Sequence, residues 1–138
     1  MSKSRWIKYN PNPRLNTVGD CTIRALAKAT GRYEDDADNW LYVYDSLCDI
    51  GRELCDMPSA DRVWRTYMKR KGFDRRLVDD HGYDVYTVED FCIDHPHGTY
   101  VLWIPGNNSG HVVCVKDGFF YDNWNSGQEV PEYYWAKD

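Results

Sequence analysis

Residues 100–123, YVLWIPGNNSGHVVCVKDGFFYDN, decide the fold, because apolar and aromatic side chains occur here in three short runs. The runs Tyr100 to Ile104, His111 to Lys116 and Phe119 to Asn123 are typical of β-strands. Asp117-Gly118, between the last two runs, is a strong signal for a two-residue hairpin turn. This stretch predicts an antiparallel sheet, to which Glu132 to Trp135 adds a further strand or a packed tail.

The chain before this stretch has the three- and four-residue spacing of apolar side chains that is typical of helices. The expected helices run from Cys21 (capped by Asp20) to about Thr30, from about Asp35 to Leu54, from the cap Ser59 to Gly72, and from the cap Thr87 to Pro96. Because the helices precede the sheet, the fold class is α+β, with N-terminal helices packed on a C-terminal antiparallel sheet. We expect a single domain over residues 1–138, with a helical half at about 20–95 and a sheet half at about 98–135.

Composition excludes several classes of protein. The chain has 138 residues, 15% of them aromatic, and a formal net charge of −5. Disordered chains are poor in aromatic residues, and a negative net charge argues against general nucleic-acid binding. No apolar run approaches the roughly 18 residues of a membrane span, and the start of the chain lacks the apolar stretch of a signal peptide. The five cysteines are therefore expected to be reduced thiols in the cytoplasm.

Cys21 is the cysteine best placed for chemistry. It falls in the first turn of a predicted helix, where unpaired backbone N–H groups and the helix dipole favour a nucleophilic thiolate. The charge of the adjacent Asp20 opposes that thiolate. The alternative is a small buried side chain, the ordinary role of a free cysteine. Core positions are predicted for the other four: Cys48, Cys55, Cys92 and Cys114.

His111 and Asp122 come together if the predicted hairpin has the expected register. A two-residue turn pairs Lys116 with Phe119, which puts His111 and Asp122 on one face of the sheet. Asp122 then lies diagonal to His111 and can orient its imidazole. The residue that orients His111 is not decided by the sequence alone. A shift of one residue in the strand pairing would put Asn123 on the face of His111 instead of Asp122, and Asn125 is a further candidate.

A cysteine that opens a helix, a histidine at the head of a strand and an Asp or Asn on the next strand resemble the papain-like cysteine peptidase superfamily. The segments GDCTIRALAKATG (19–31) and HPHGTYVLWIPGNNSGHVVCVKDGFFYDNWNSG (95–127) are also similar to small papain-like proteins of bacteriophages and mobile elements. The resemblance implies a minimal papain-like core in which Cys21 is the nucleophile, His111 the base and acid, and Asp122 the residue that orients His111.

The same resemblance implies supporting residues around these three. Papain-like peptidases complete an oxyanion hole with an amide side chain, and this role falls to Asn16, with Asn12 in reserve. Trp124 would shield His111, and Asn125 lies beside it in the predicted cleft. The implied activity is hydrolysis of a peptide, isopeptide or other amide bond in a protein or peptide. It needs no cofactor or metal and takes place in the cytoplasm, which is the host cytoplasm for a phage-encoded protein.

Other interpretations stay open. One is acyl transfer to an amine by transglutaminase-type chemistry, and another is a catalytically inactive papain-like module that binds a host or viral protein. A third is an interaction protein that uses a basic patch: Arg62, Arg65, Lys69 and Arg75. A zinc site at Cys92, His95 and His97 is not favoured, because no second ligand pair has the required spacing. The sequence predicts no membrane contact, makes nucleic acid an improbable partner and leaves the oligomeric state open.

Overall fold

The computed structural model describes residues 4–14, 20–106 and 110–137. The helices in these ranges are α1 (Cys21–Thr30), α2 (Asp36–Leu54), α3 (Asp61–Arg70) and α4 (Val88–Asp94). None of these helices combines the length and the apolar character needed to cross a membrane. The strands are β1 (Trp6–Lys8), β2 (Asp74–Leu77), β3 (Thr99–Ile104), β4 (His111–Lys116), β5 (Phe119–Asp122) and β6 (Tyr133–Ala136). The predicted α+β class, with helices mainly in the N-terminal part and strands mainly in the C-terminal part, is confirmed.

The strands form one mixed sheet with the order β1-β5-β4-β3-β6-β2. The pairs among β2 to β6 are antiparallel, as predicted, whereas β1 runs parallel to β5. β1 and β2 have only 3 and 4 residues. The sequence predicts neither strand, because so short a segment shows no clear alternation of apolar and polar side chains.

The hairpin between β4 and β5 has the register expected of a two-residue turn. Lys116 pairs with Phe119, and Cys114 pairs with Tyr121. Asp117 and Gly118 have φ angles of 51° and 83°, the two positive values that a type I′ turn requires. Continued toward the open end of the hairpin, the same register brings His111 and Asp122 to neighbouring positions on adjacent strands.

Helices cover both faces of the sheet, with an apolar cluster on each side. On one face, α1, α2 and α3 pack against a cluster that includes Val112 and Cys114 of β4. On the other face, α4 packs against a cluster that includes Val113 and Val115 of the same strand. Both faces of β4 are therefore buried, and α1, whose Leu26 is fully buried, is held next to it.

The capping residues differ in part from those predicted. Thr87 caps α4 and forms a capping box with Asp90, as predicted. Ser59 does not begin α3, because the N-cap position is Ala60, whose side chain cannot accept a hydrogen bond. Asp20 occupies the N-cap position of α1 but makes no side-chain cap, and its carboxylate instead binds Arg24.

The cysteines differ widely in burial. Cys92 and Cys114 are fully buried, and this burial is the main reason why the pKa of each thiol is raised to about 12. Cys48 is half-buried. Cys55 is exposed, so its predicted place in the core is wrong. The helical spacing does not apply to Cys55, because α2 ends before it and its φ of 53° turns the chain away from the helix.

Candidate active site

Cys21 begins α1 and is half-buried beside the first residues of β4. Its sulfur lies beside the imidazole of His111 and the backbone of Val112, and both act on its pKa. Burial is the largest single influence and raises the pKa of the thiol. The hydrogen bond and charge of His111, the Val112 bond and the charge of Arg24 outweigh burial, so the pKa of Cys21 lies below its usual value.

His111 links Cys21 to Asp122. Its Nε2 lies 2.6 Å from Oδ2 of Asp122, and its side chain is only 14% exposed. Burial opposes the charge on the ring, but hydrogen bonds and attraction to Asp122 and Cys21 more than offset burial and raise the pKa of His111 to about 9. The directions of the two shifts agree, since each favours a thiolate paired with an imidazolium at neutral pH.

The carboxylate of Asp122 is 1% exposed and fully hydrogen-bonded. Oδ2 accepts from His111 and, at 2.7 Å, from the hydroxyl of Ser126. Oδ1 accepts from the backbone N–H of Asn123 at 2.8 Å and from Nη2 of Arg24 at 3.3 Å. So many donors hold a buried carboxylate in one orientation.

The backbone of Asp122 is held as firmly as its side chain. Its carbonyl oxygen accepts from the indole Nε1 of Trp6 at 2.9 Å and from the backbone N–H of Tyr9 at 2.8 Å. Both donors belong to the segment that includes β1, the strand parallel to β5. The N-terminal segment therefore secures the position of Asp122 at the end of β5.

The other predicted residues lie at varying distances from this centre. The ring centroid of Trp124 lies 5.0 Å from that of His111, so Trp124 does cover the imidazole. Asn125 is exposed and accepts from the backbone N–H of Gly127 at 3.1 Å, so the structure gives it no contact with His111. The side chain of Asn12, the reserve candidate for the oxyanion hole, donates to Asp20 at 3.0 Å. Asn16 lies outside the described residues.

Two contacts of the site are not predicted from the sequence. Ser126 follows β5 in an irregular segment and has no pattern that marks it, yet it is fully buried against Asp122. Arg24 appears in the sequence as an ordinary polar residue of a helix, yet it is 3% exposed and contacts Asp122. The sequence shows only that an arginine lies one turn after the predicted nucleophile. It does not show that this arginine is buried, because burial of a polar residue cannot be read from helical spacing alone.

Gly110 immediately precedes His111 and has a backbone that only glycine adopts without strain. Its φ is +79°, and a Cβ here would overlap the indole ring of Trp103. We expect Gly110→Ala to lower the free energy of unfolding by about 1–3 kcal/mol more than Gly82→Ala does. Gly82 is the matched control, since it also has a φ of +79° but nothing lies within 4 Å of its added Cβ. Urea unfolding of both variants measures the difference, and equal losses would contradict the role of the Trp103 contact.

Two of the four residues in the basic patch predicted from the sequence pair with carboxylates. Arg62 pairs with Asp56 at 3.4 Å, and Arg65 pairs with Asp61 at 3.8 Å. The guanidinium of Arg75 lies 4.9 Å from the ring centroid of Tyr133. Within the residues that the structure describes, no three His, Cys, Asp or Glu side chains are arranged to hold a metal ion.

The arrangement of Cys21, His111 and Asp122 can generate a nucleophile and move a proton. A helix N-terminus supplies backbone N–H groups and a positive dipole end beside the sulfur. Comparison of the chain with protein-family models, with curated proteins and with solved structures gives no match.

Proposed function

We propose that this protein is a cysteine hydrolase with a minimal papain-like core, in which Cys21, His111 and Asp122 form the catalytic triad. One observation carries the proposal. A half-buried thiol at the start of a helix lies beside an imidazole that lowers its pKa, and Nε2 of that imidazole lies 2.6 Å from a buried carboxylate. A nucleophile, a base and a group that orients the base, each in hydrogen-bond reach of the next, are the parts that nucleophilic catalysis needs.

The proposed reaction begins from the thiolate–imidazolium pair. The sulfur of Cys21 attacks the carbonyl carbon of an amide, and the carbonyl electron pair moves to oxygen. Backbone N–H groups at the start of α1 stabilise this oxyanion. When the intermediate collapses, the C–N bond breaks, and the leaving nitrogen takes the proton of His111. With Nε2 bound to Asp122, Nδ1 is the nitrogen that transfers this proton.

Water completes the cycle. Neutral His111 takes a proton from water, and the oxygen attacks the carbonyl carbon of the thioester. The C–S bond then breaks and regenerates the thiolate beside an imidazolium. Throughout both steps Asp122 keeps the ring oriented and stabilises its positive charge, without itself taking a proton.

The rate at which the Cys21 thiol is alkylated tests the proposal directly. Because the pKa of Cys21 is lowered, we expect iodoacetamide near neutral pH to label it about tenfold or more faster than the exposed Cys55 of the same molecule. His111→Ala should slow labelling of Cys21 and leave that of Cys55 unchanged. Peptide mass spectrometry over a time course reads both rates.

His81→Ala is the matched control for this substitution. His81 also faces a carboxylate, with its Nε2 3.0 Å from Asp94, but it is half-exposed and makes no contact with Cys21. Labelling of Cys21 at the rate of Cys55, or a rate that His111→Ala does not change, would contradict the proposal.

Measured hydrolysis of an ester would distinguish an enzyme from a catalytically inactive module. An activated ester such as p-nitrophenyl acetate needs no specific binding pocket, so it reports the chemistry alone. We expect turnover that Cys21→Ala abolishes and Cys55→Ala leaves intact. Acylation of Cys21 without release of acetate would contradict hydrolysis and favour an acyltransferase that awaits an amine.

The proposal extends to substrate and compartment. The amide chemistry of such a triad points to a protein or peptide as substrate. The nucleophile must stay a free thiol, and all five cysteines are free, which suits the reducing cytoplasm. For a phage-encoded protein this is the cytoplasm of the host.

A further inference from the structure

Arg24 lies one turn after Cys21 on α1, and its side chain is 4% exposed. Its Nη1 donates to Oδ1 of Asp20, and its Nη2 lies 3.3 Å from Oδ1 of Asp122. The guanidinium thus joins the residue before the nucleophile to the residue that orients the histidine. A planar fork can bind two carboxylates at once, whereas an ammonium group is a single point of charge.

Asp20 needs this partner, because its charge lies next to Cys21 in the chain. A carboxylate there would raise the pKa of the thiol if nothing neutralised it. Besides Arg24, two donors bind Oδ2 of Asp20, namely Nε1 of Trp40 and the side-chain amide of Asn12, each at 3.0 Å. These donors are neutral, so Arg24 supplies the positive charge within this group of contacts.

Asp122 uses the same guanidinium in a different way. It already receives hydrogen bonds from His111, Ser126 and the backbone of Asn123. Arg24 is the contact that comes from α1, the helix that carries the nucleophile. It therefore ties the position of Asp122 on β5 to the position of Cys21 on α1.

We propose that Arg24 is a positioning residue of the hydrolase: its buried fork aligns Asp122 with His111 and cancels the charge of Asp20 beside Cys21. The inference rests on the proposed function, since it assigns Arg24 a part in the same reaction. Arg24 makes no hydrogen bond to the sulfur or the imidazole, and apart from the direct attraction of its charge for the thiolate it acts through the two carboxylates.

The pH dependence of Cys21 alkylation tests the charge effect. We expect Arg24→Met to move the inflection of the profile up by about one pH unit or more, because Asp20 is left without its counter-charge. Asp20→Asn should move it down, and the double variant Asp20→Asn/Arg24→Met should return it toward the wild-type position. The double variant removes one positive and one negative charge, so it tests the inference even if Arg24→Met alone fails to fold.

Ester turnover tests the positioning effect. Arg24→Lys keeps the charge but cannot bind both carboxylates, so we expect a nearly unchanged inflection and a several-fold loss of turnover. Arg52→Met is the matched control, since Arg52 also pairs with an aspartate on its own helix, Asp49, but is exposed. Neither its profile nor its turnover should change.

The outcomes separate the two proposals. A wild-type inflection at the pKa of an ordinary thiol would overturn the proposed function itself. Two results would overturn the charge effect of Arg24 but not the proposed function. One is a low inflection in the wild-type alkylation profile that Arg24→Met does not move. The other is the same inflection for Asp20→Asn and for the double variant. Full turnover in Arg24→Lys would overturn its positioning effect.

Discussion

Asp122→Asn should slow alkylation of Cys21 near pH 6 by about tenfold or more. Asparagine keeps the size of the side chain but removes the negative charge that faces Nε2 of His111 at 2.6 Å. The pKa of His111 should then fall below its value of about 9, and the neutral ring no longer lowers the pKa of Cys21. Alkylation slows because less of the thiol is ionised.

The directions in which the pKa values of His111 and Cys21 change determine the pH range in which the two alkylation rates differ. In the wild-type protein the thiolate forms below the usual thiol pKa and keeps its imidazolium partner until His111 loses its proton at about pH 9. In the variant the imidazolium is lost at lower pH and the thiolate forms at higher pH. The difference in rate should therefore be largest in mildly acidic solution and should disappear well above pH 9, where both proteins carry a thiolate.

Asp94→Asn is the control for this experiment. Asp94 also faces a histidine, with Nε2 of His81 at 3.0 Å, at a place that has no contact with Cys21. Its alkylation profile should match that of the wild-type protein. A profile for Asp122→Asn that also matches would mean that the carboxylate has no influence on the thiol.

Leu47→Ala should lower the free energy of unfolding by about 2–5 kcal/mol. Leu47 lies on α2 with 2% of its side chain exposed, in the cluster that α1, α2 and α3 form against the sheet. Truncation to alanine removes apolar contacts and leaves a cavity, because the surrounding helices relax only in part. Small domains have about 5–15 kcal/mol of stability, so the expected loss is a large fraction of the total.

Leu41→Ala provides the same substitution on the same helix at a position that is 45% exposed. Its free energy of unfolding should change by about 0.5 kcal/mol or less, since little apolar surface is lost and alanine is a good helix former. Chemical denaturation of both variants gives the comparison. Similar losses at the two positions would mean that this face of α2 does not form the core.

The sheet half of the fold could be predicted because local signals agree with one another there. Asp117-Gly118 specifies a two-residue turn, and the apolar residues on either side have the length of strands. Once that register is fixed, alternation alone brings His111 next to Asp122. The place of Cys21 at the start of α1 can also be predicted, because its neighbours in the sequence specify where that helix begins.

The rest of the site depends on packing between distant parts of the chain. Arg24 and Ser126 are buried only because α1 lies against the sheet and the segment after β5 turns back toward Asp122. Trp40 directs its Nε1 at Asp20, which depends on how α2 packs against α1. No local pattern records such crossings, so these contacts could not be predicted.

The anchoring of the Asp122 carbonyl by Trp6 and Tyr9 has a consequence for the order in which a newly made chain acquires reactivity. The ribosome makes the N-terminal segment first, yet the indole bond to Asp122 spans 116 residues. Cys21 likewise leaves the ribosome long before His111 and Asp122 exist. Until they arrive, it is a cysteine like any other, protonated and slow to react. Under the proposed function, the thiol of Cys21 stays unreactive while the polypeptide grows, and it becomes a nucleophile only after β4 and β5 have been made and have folded against α1.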